Sequence, residues 1–266
     1  MMINSSSPLE YEYSGLLART WDLFRGDTSR WEDRFLFLSL VREWGQPVLD
    51  VGCGTGRILL DFLALGIDID GVDLSPQMLT LCREKAARLG LSPSLAQQKM
   101  EALSPHRPYR TILVPSSSFQ LVTDPSLALQ AMARFHQHLI PGGALVMPFM
   151  VLRQAGEPDL QDWQLAKEKT RPEDGAVVRR WSTSRYDPVT QLEHTEDRYE
   201  VTFAGRVIQE ERHRRSPATR EYSQDQALDL YHQAGFDPIR VYSGFSRDPA
   251  QNGDTLFTVV GVKTAA

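Results

Sequence analysis

The segment 48–57 (VLDVGCGTGR) constrains the fold of this chain more than any other. A short apolar run leads into glycines 52, 54 and 56, which let the backbone turn sharply and approach a ligand closely. Parallel sheets bind ligands at such a strand end, just before a helix begins. Arg57 stands where a dinucleotide fingerprint needs its third glycine, and no Gly-Lys-Ser/Thr follows to make a P-loop. Asp50 precedes the loop, where it can take an amine or ammonium group.

A second acidic residue follows at the end of the next apolar run. Asp73 lies within Gly71-Val72-Asp73-Leu74-Ser75, about 20 positions beyond the loop, where a carboxylate can accept hydrogen bonds from two ribose hydroxyls. Taken alone, each element is equally well a tight turn or a helix cap. Their spacing together favours a binding site.

Strands and helices alternate from residue 48 to residue 150. We predict strands over 48–51, 69–72, 95–100, 111–114 and 144–150, and helices over 58–65, 76–90 and 125–139. Ser75-Pro76 and Asp124-Pro125 each read as an N-cap followed by proline at the first helical position. Pro141-Gly142-Gly143 is predicted to turn the chain into the fifth strand. Such alternation predicts βαβ units and a parallel sheet with helices on both faces.

The pattern changes after Met150. Apolar and polar residues alternate over 177–186, 191–203 and 206–214, which predicts three antiparallel strands inserted into the fold. Ser223 then caps a helix that ends at Gly235, and two strands follow over 236–242 and 255–262. The segment before residue 48 is predicted to be helical and partly amphipathic, with apolar positions that include Tyr11, Tyr13, Leu16, Leu17, Trp21 and Phe24.

Composition excludes several classes of protein. The formal net charge of −5 argues against a nucleic-acid partner. No apolar run approaches the roughly 20 residues that cross a bilayer, and no signal sequence is apparent. The two cysteines, Cys53 and Cys82, fit a reducing compartment, so we expect a cytoplasmic protein without a membrane partner.

Four motifs together resemble those of class I S-adenosylmethionine-dependent methyltransferases of the small-molecule type: Asp50-x-Gly52-x-Gly54-x-Gly56, Gly71-x-Asp73-Leu74-Ser75-Pro76-x-Met78, Pro141-Gly142-Gly143 and Ala234-Gly235-Phe236. The resemblance implies an α/β fold: a Rossmann-like, seven-stranded, mostly parallel sheet with helices on both faces and a reversed last hairpin, plus the inserted antiparallel β-sheet. It also implies that S-adenosylmethionine binds with its methionine part near Asp50 and Gly52 and its ribose on Asp73, leaving S-adenosylhomocysteine as product. The implied cofactor-binding residues are Trp21, Asp50, Gly52, Cys53, Gly54, Gly56, Asp73, Leu74, Met78, Met100, Glu101, Pro115 and Ser116.

The same resemblance divides the chain into four parts. Residues 1–47 form an N-terminal helical lid, in which Trp21 packs over the methyl donor, and 48–150 form the cofactor-binding core. Residues 151–222 are an antiparallel β insertion that serves as substrate cover or dimer interface, and 223–266 complete the core sheet. Two positions depart from the family: Lys99 replaces a frequent acidic adenine contact, for which Glu101 is a substitute, and Arg110 replaces an aspartate that concerns packing.

The residues after the fourth strand bear on the methyl acceptor. The run Ser116–Gln120 has neither the Asn/Asp-Pro-Pro-Tyr motif of nucleobase methyltransferases nor the aspartate of metal-dependent catechol-type enzymes, so no metal site is predicted. It resembles small-molecule enzymes, and the candidate acceptor residues are Ser118, Phe119, Gln120, Tyr186, Arg220 and Tyr222. His194 and His213, on the inserted strands, are the candidate general bases, although a neutral amine acceptor needs none.

Two other functions stay open from the sequence. One is a nicotinamide-dependent oxidoreductase, against which the glycine spacing argues. The other is a non-catalytic binding module that keeps the fold. The leading hypothesis is methyl transfer by in-line displacement to N, O or C of a small-molecule metabolite, by a monomer or a homodimer.

Overall fold

The computed structural model describes residues 13–153 and 156–264. Tyr11, which belongs to the predicted N-terminal helical segment, lies outside this range. The helical prediction holds for the described part of that segment, which contains α1 (Gly15–Arg19), α2 (Trp21–Arg25) and α3 (Glu32–Trp44). None of the helices within the described ranges is both long and apolar enough to cross a membrane.

The alternating pattern is confirmed. The elements that follow are β1 (Val48–Val51), α4 (Arg57–Ala64), β2 (Ile69–Asp73), α5 (Pro76–Arg88), β3 (Ser94–Gln97), β4 (Tyr109–Leu113), α6 (Pro125–His138) and β5 (Leu139–Met150). Residues after the insertion form α7 (Gln224–Gln233), β10 (Phe236–Ser243) and β11 (Leu256–Lys263). The seven strands lie in the order β10-β11-β5-β4-β1-β2-β3. The central pairs are parallel, and β11 runs antiparallel to both β5 and β10.

Burial explains why these strands carry unbroken apolar runs. All four residues of β1 are buried, as expected for a strand that helices cover on both faces. One face packs on a cluster that includes Phe119, Phe135 and Tyr231, and the other on a cluster that includes Phe37 and Leu59. The predicted caps at Ser75, Asp124 and Ser223 are confirmed. The Ser75 hydroxyl accepts a hydrogen bond from the Met78 amide, and the Asp124 carboxylate accepts two from Ser126 and Leu127.

The inserted sheet has four strands where three were predicted: β6 (Leu160–Thr170), β7 (Val177–Asp187), β8 (Leu192–Phe203) and β9 (Arg206–Arg220), in that order. The sequence did not predict β6 because this edge strand is almost wholly exposed and has no buried face to set an alternating pattern. β9 runs six residues beyond the predicted end at 214. A register shift between Glu193 and Thr195 of β8 lets the pairing continue as far as Leu192 and Arg220.

Two core predictions need correction. The third strand was predicted through Met100 but ends at Gln97, and Met100 instead begins a short 3₁₀ turn. The Pro141-Gly142-Gly143 turn lies inside β5, where the register with β4 shifts. Gly143 is needed there, because a Cβ would lie 2.7 Å from the carbonyl oxygen of Arg110. The Arg110 side chain donates to the carbonyls of Trp44 (2.9 Å) and Pro141 (3.2 Å), which is a packing role.

The N-terminal helices join the two sheets. Leu16 and Leu17 pack in one cluster with Val178, Tyr199 and Val201 of the inserted sheet. On the other side, the Gly15 amide donates to Gln77 Oε1 at the start of α5 (2.8 Å). The helices therefore lie between the inserted sheet and the carboxyl edge of the seven-stranded sheet.

Candidate functional site

A cavity of about 370 Å³ opens at the carboxyl ends of β1, β2 and β4. Its walls contain every predicted cofactor residue except Gly56, together with Ser118: Trp21, Asp50, Gly52, Cys53, Gly54, Asp73, Leu74, Met78, Met100, Glu101, Pro115, Ser116 and Ser118. Residues that are distant in sequence meet here because neighbouring parallel strands end at the same edge of a sheet.

The loop between β1 and α4 depends on its glycines. Gly52, Gly54 and Gly56 have φ values of 73°, 55° and 84°, a region that L side chains rarely adopt. A Cβ at Gly52 would lie 3.1 Å from the Ser118 side chain. At Gly56 it would lie 2.6 Å from Cys82 Sγ, so this glycine supports the loop from beneath the cavity.

Asp73 ties the loop to the second strand. Its Oδ2 accepts a hydrogen bond from the Gly54 amide and its Oδ1 accepts one from the Ser75 amide, both at 2.8 Å. Burial raises the pKa of this carboxyl, and the two amide donors oppose the rise. Each carboxylate oxygen has further lone pairs, so Asp73 can also accept from hydroxyl groups of a ligand in the cavity.

Asp50 lies at the base of the same loop and is 1% exposed. Its Oδ1 has no hydrogen-bond partner among the residues that the structure describes. Burial raises the pKa of Asp50 to about 7, with a smaller rise from the charge of Asp73, while the charge of Arg57 acts in the opposite direction. A buried carboxylate oxygen without a donor is costly, and a ligand ammonium in the cavity would relieve that cost.

Apolar and charged side chains together line the end of the cavity that β2 and β3 face. Leu74 and Met78 follow β2, whereas Met100 and Glu101 belong to the 3₁₀ turn after β3. Lys99 also lines this wall. Thioether and aliphatic side chains suit a flat aromatic ring, and the neighbouring polar groups suit its edge.

The N-terminal helices close the remaining side. The rings of Tyr13 and Trp21 meet edge to face with centroids 5.0 Å apart, and both line the cavity. Asp22, next to Trp21, anchors this segment because its carboxylate accepts a hydrogen bond from the Thr55 hydroxyl (2.6 Å) and pairs with Lys85 (3.2 Å). Asp33 of α3 binds Arg57, the first residue of α4, through both carboxylate oxygens.

Sequence reasoning missed several cavity residues. They are Tyr13, Arg25, Val51, Thr55, Arg57, Ile58, Ser75, Gln98, Lys99, Leu121, Val122, Thr123, Asp124 and Leu127. Thr55 and Arg57 adjoin the glycine loop, and this proximity was an available signal. Arg25 and Tyr13 reach the cavity only through the packing of the N-terminal helices, which no local pattern indicates.

Most of the predicted acceptor residues lie away from this cavity. Phe119 is buried against Phe135, Phe149 and Tyr222 in the main core. Gln120 is fully buried, and its side-chain amide group donates to the carbonyls of Met150 and Arg220 (3.0 and 2.9 Å).

The other acceptor candidates also have structural partners. The Arg220 guanidinium donates to the carbonyl of Thr123 (2.7 Å), and Tyr222 is 7% exposed in the core. Tyr186 is half-buried beside Arg153, and burial, followed by the charge of Glu221, raises its pKa to about 12. Of the six residues, only Ser118 lines the cavity.

The two candidate bases lie on the inserted sheet and do not line the cavity. His194 Nδ1 is 2.6 Å from the hydroxyl of Ser216. His213 packs edge to face on Tyr199 and its Nε2 lies 3.4 Å from a carboxylate oxygen of Glu211. Among the residues that the structure describes, no group of three or more His, Cys, Asp or Glu side chains is arranged to hold a metal ion.

The strand order, the reversed last hairpin and the glycine loop flanked by two aspartates define a class I methyltransferase of the Rossmann-like type. Comparison with known proteins agrees. The methyltransferase domain family matches residues 48–143. The aklanonic acid methyltransferase of Streptomyces sp. strain C5 is 30% identical over 165 residues, which are 56% of this chain and 73% of that protein. The chain therefore belongs to the S-adenosylmethionine-dependent methyltransferases and is an enzyme of that family.

Solved structures share the whole fold. An S-adenosylmethionine-dependent methyltransferase from Clostridium acetobutylicum superposes with a TM-score of 0.74 at 17% identity, covering 93% of this chain and 97% of that one. A sugar N-methyltransferase from Streptoalloteichus superposes with a TM-score of 0.70 at 22% identity, covering 100% of this chain and 99% of that one. Each superposition therefore spans nearly the entire chain.

Proposed function

We propose that this enzyme binds S-adenosylmethionine in the 370 Å³ cavity and transfers its methyl group to N, O or C of a small molecule. One observation carries the proposal. Asp50 and Asp73 flank a single glycine loop at the carboxyl edge of the sheet, and a buried oxygen of Asp50 has no hydrogen-bond partner within the described ranges. The two carboxylates suit a ligand with an ammonium group at one end and a ribose in its middle.

The residues present fit this cofactor. The loop amides and Asp50 would hold the amino-acid part, Asp73 the ribose hydroxyls, and Leu74, Met78 and Met100 the adenine. When bound, S-adenosylmethionine supplies a methyl group on a positively charged sulfur. A nucleophile would attack the methyl carbon directly, with the sulfur as leaving group. The protein then has to align the nucleophile with that methyl group and exclude water. Trp21 and Tyr13 cover the cavity and contribute both to the alignment of the nucleophile and to the exclusion of water.

Three observations support a small acceptor. The relatives described above include proteins named for aklanonic acid and for sugars. The net charge of −5 does not favour nucleic acid. Tyr13, Trp21 and Arg25 of the N-terminal segment cover one side of the cavity, which restricts access for a macromolecular acceptor. We therefore place amino sugars and aromatic acids first among acceptors to screen.

The proposal extends to location and assembly. We propose a cytoplasmic enzyme, which its two free cysteines fit.

We also propose a homodimer that pairs through β6, because this edge strand exposes Leu160, Trp163 and Leu165. Sedimentation analysis of the wild type and of Trp163→Lys tests the assembly, and a wild type that sediments as a monomer contradicts it.

Binding is the first test of the proposed function. Isothermal titration of the wild type with S-adenosylmethionine and S-adenosylhomocysteine should give micromolar dissociation constants. Mass spectrometry then follows methyl transfer to three acceptor sets: amino sugars, aromatic acids and phenols, and a ribosomal protein extract. Methylation confined to the ribosomal set would overturn the small-molecule assignment, and lack of binding to either ligand would overturn the cofactor site.

A further inference from the structure

Arg25 has an unusual place in the cavity. It is the last residue of α2 and lines the cavity together with Asp50 and Gly52. The centre of its guanidinium lies 4.2 Å from the ring centroid of Trp21 and 5.5 Å from that of Trp31. Indole faces attract a cation but offer its five N–H donors no hydrogen-bond acceptor. The indole faces therefore hold the side chain in position, and no residue within the described ranges accepts a hydrogen bond from it.

No carboxylate among the described residues pairs with Arg25, whereas Arg19, Arg34 and Arg57 each pair with one. The groups whose charge raises the pKa of Arg25 are the Tyr13 hydroxyl and the carboxylates of Asp22 and Asp33. Asp22 accepts a hydrogen bond from Thr55 and pairs with Lys85, and Asp33 binds Arg57. Both carboxylates are thus engaged elsewhere.

The electrostatics of the site follow from this arrangement. Burial lowers the pKa of Arg25, and the positive charge of Arg57 lowers it further. Arginine nevertheless stays charged in proteins, so the half-buried Arg25 guanidinium places a positive charge at this wall of the cavity, next to the guanidinium of Arg57. An anion that enters the cavity relieves this repulsion and supplies the missing acceptor.

The cavity therefore carries both signs of charge around one loop. Asp50 supplies a carboxyl at the base of the loop, and Arg25 supplies a guanidinium from the helices that cover it. A zwitterionic amino-acid group, with an ammonium and a carboxylate on one carbon, matches this pair. We propose that Arg25 binds the α-carboxylate of S-adenosylmethionine; this inference rests on the proposed function.

The proposal is tested by changing the Arg25 side chain and the α-carboxylate of the ligand, separately and together, and comparing the affinities. The variants are Arg25→Gln and, as a version that keeps the charge without the planar fork, Arg25→Lys. The ligands are S-adenosylmethionine and its decarboxylated form, which lacks only the α-carboxylate. Titration calorimetry should show that Arg25→Gln weakens S-adenosylmethionine at least tenfold, as for loss of a charge-assisted hydrogen bond, and changes the decarboxylated ligand less than twofold. Arg25→Lys should fall between the wild type and Arg25→Gln.

The matched control is Arg19→Gln. Arg19 ends the neighbouring helix α1, is exposed, and pairs with Glu211 outside this cavity. It should bind both ligands as the wild type does. Equal weakening of both ligands by Arg25→Gln, or no weakening of either, overturns the carboxylate assignment while the cofactor site stands. A wild type that binds neither ligand overturns the cofactor site and this proposal together. Binding of the decarboxylated ligand by Arg25→Gln also shows that the variant is folded.

Discussion

The Oδ2 atom of Asp73 accepts a hydrogen bond from the Gly54 amide at 2.8 Å, so the end of β2 holds the glycine loop that follows β1. The other oxygen holds the Ser75 amide at the start of α5. One carboxylate thus fixes two backbone segments of the cavity wall and keeps lone pairs for a ligand. This arrangement gives Asp73 a role in both the loop and the proposed ribose contact.

We expect Asp73→Asn to weaken S-adenosylhomocysteine binding by about tenfold or more. An amide keeps the shape of the side chain, but its NH₂ group cannot accept a hydrogen bond from the Gly54 or Ser75 amide that it faces. The remaining hydrogen bonds to the side chain also lose their charge assistance and become weaker. Titration calorimetry measures the effect. Asp68→Asn is the matched control, because Asp68 pairs with Arg107 near the opposite end of β2 and does not line the cavity. Equal affinities for the two variants would contradict a ligand role for Asp73.

The pKa of Asp50 predicts a pH dependence of cofactor binding. An ammonium group binds the carboxylate form, so protonation of Asp50 competes with the ligand. The pKa is about 7 in the free protein, and affinity should therefore be full above that pH and fall as the pH drops through it. The ratio of the dissociation constants of Asp50→Asn and wild type isolates this effect. It should be large about one unit above the pKa and shrink about one unit below it.

Asp50 also makes the free energy of unfolding depend on pH. This dependence has the opposite sign to that of cofactor affinity. Burial disfavours the charged form, so the folded state holds the Asp50 proton more tightly than the unfolded state does, whose pKa is near the ordinary 3.8. The favourable contribution to the free energy of unfolding is greatest below the unfolded-state pKa and is lost as the pH rises through about 7. Urea unfolding of the wild type and Asp50→Asn across this window should show the difference between them growing with pH in favour of the variant.

Two glycines with similar backbone angles should differ in their tolerance of alanine. Gly56 and Gly66 have φ values of 84° and 78°, so each alanine incurs a similar left-handed strain of roughly 1 kcal/mol. A Cβ at Gly56 would also lie 2.6 Å from Cys82 Sγ and 2.8 Å from Leu60 Cγ, whereas nothing lies within 4 Å of one at Gly66. We expect Gly56→Ala to lower the free energy of unfolding by about 1–3 kcal/mol more than Gly66→Ala. Urea denaturation of both variants measures this difference, and equal losses would contradict it.

Much of the site could be predicted because the information is local. The glycines and Asp50 lie within one loop, and Asp73 ends the next strand, so the geometry of adjacent parallel strands brings them together. Arg25 could not be found in this way. It reaches the cavity because α1 and α2 pack between the inserted sheet and α5, and this packing leaves no periodic pattern in the sequence.

The residues after β4 give a second example of what the sequence could not predict. The run Ser118-Phe119-Gln120 was expected to border the methyl acceptor, yet a 3₁₀ turn there directs Ser118 to the cavity and buries the other two side chains. The sequence indicates the turn, but it does not indicate which side chains of the turn point to the cavity and which are buried in the core. The edge strand β6 was missed for a related reason: exposed residues on both faces remove the pattern on which strand prediction depends.

Tyr222, an acceptor candidate from sequence, provides a last test when paired with Tyr231. Both rings are buried, but the Tyr222 hydroxyl has no hydrogen-bond partner in the part of the chain that the structure describes, and burial raises its pKa to about 12. The Tyr231 hydroxyl donates to the carbonyl of Val259 at 3.1 Å. Removing an unsatisfied buried hydroxyl is neutral or favourable, whereas removing a satisfied one costs about 1 kcal/mol. We expect Tyr222→Phe to keep or raise the free energy of unfolding and Tyr231→Phe to lower it.

Urea denaturation of the two phenylalanine variants measures this contrast, and steady-state kinetics separates the core role of Tyr222 from an acceptor role. If Tyr222 is a core residue, Tyr222→Phe keeps the KM for the acceptor and kcat. If instead the hydroxyl finds its partner on a bound acceptor, the KM rises while the stability of the free enzyme stays the same or increases. A rise in KM without any loss of stability would therefore return Tyr222 to the acceptor site, because only a bound group can then satisfy its hydroxyl.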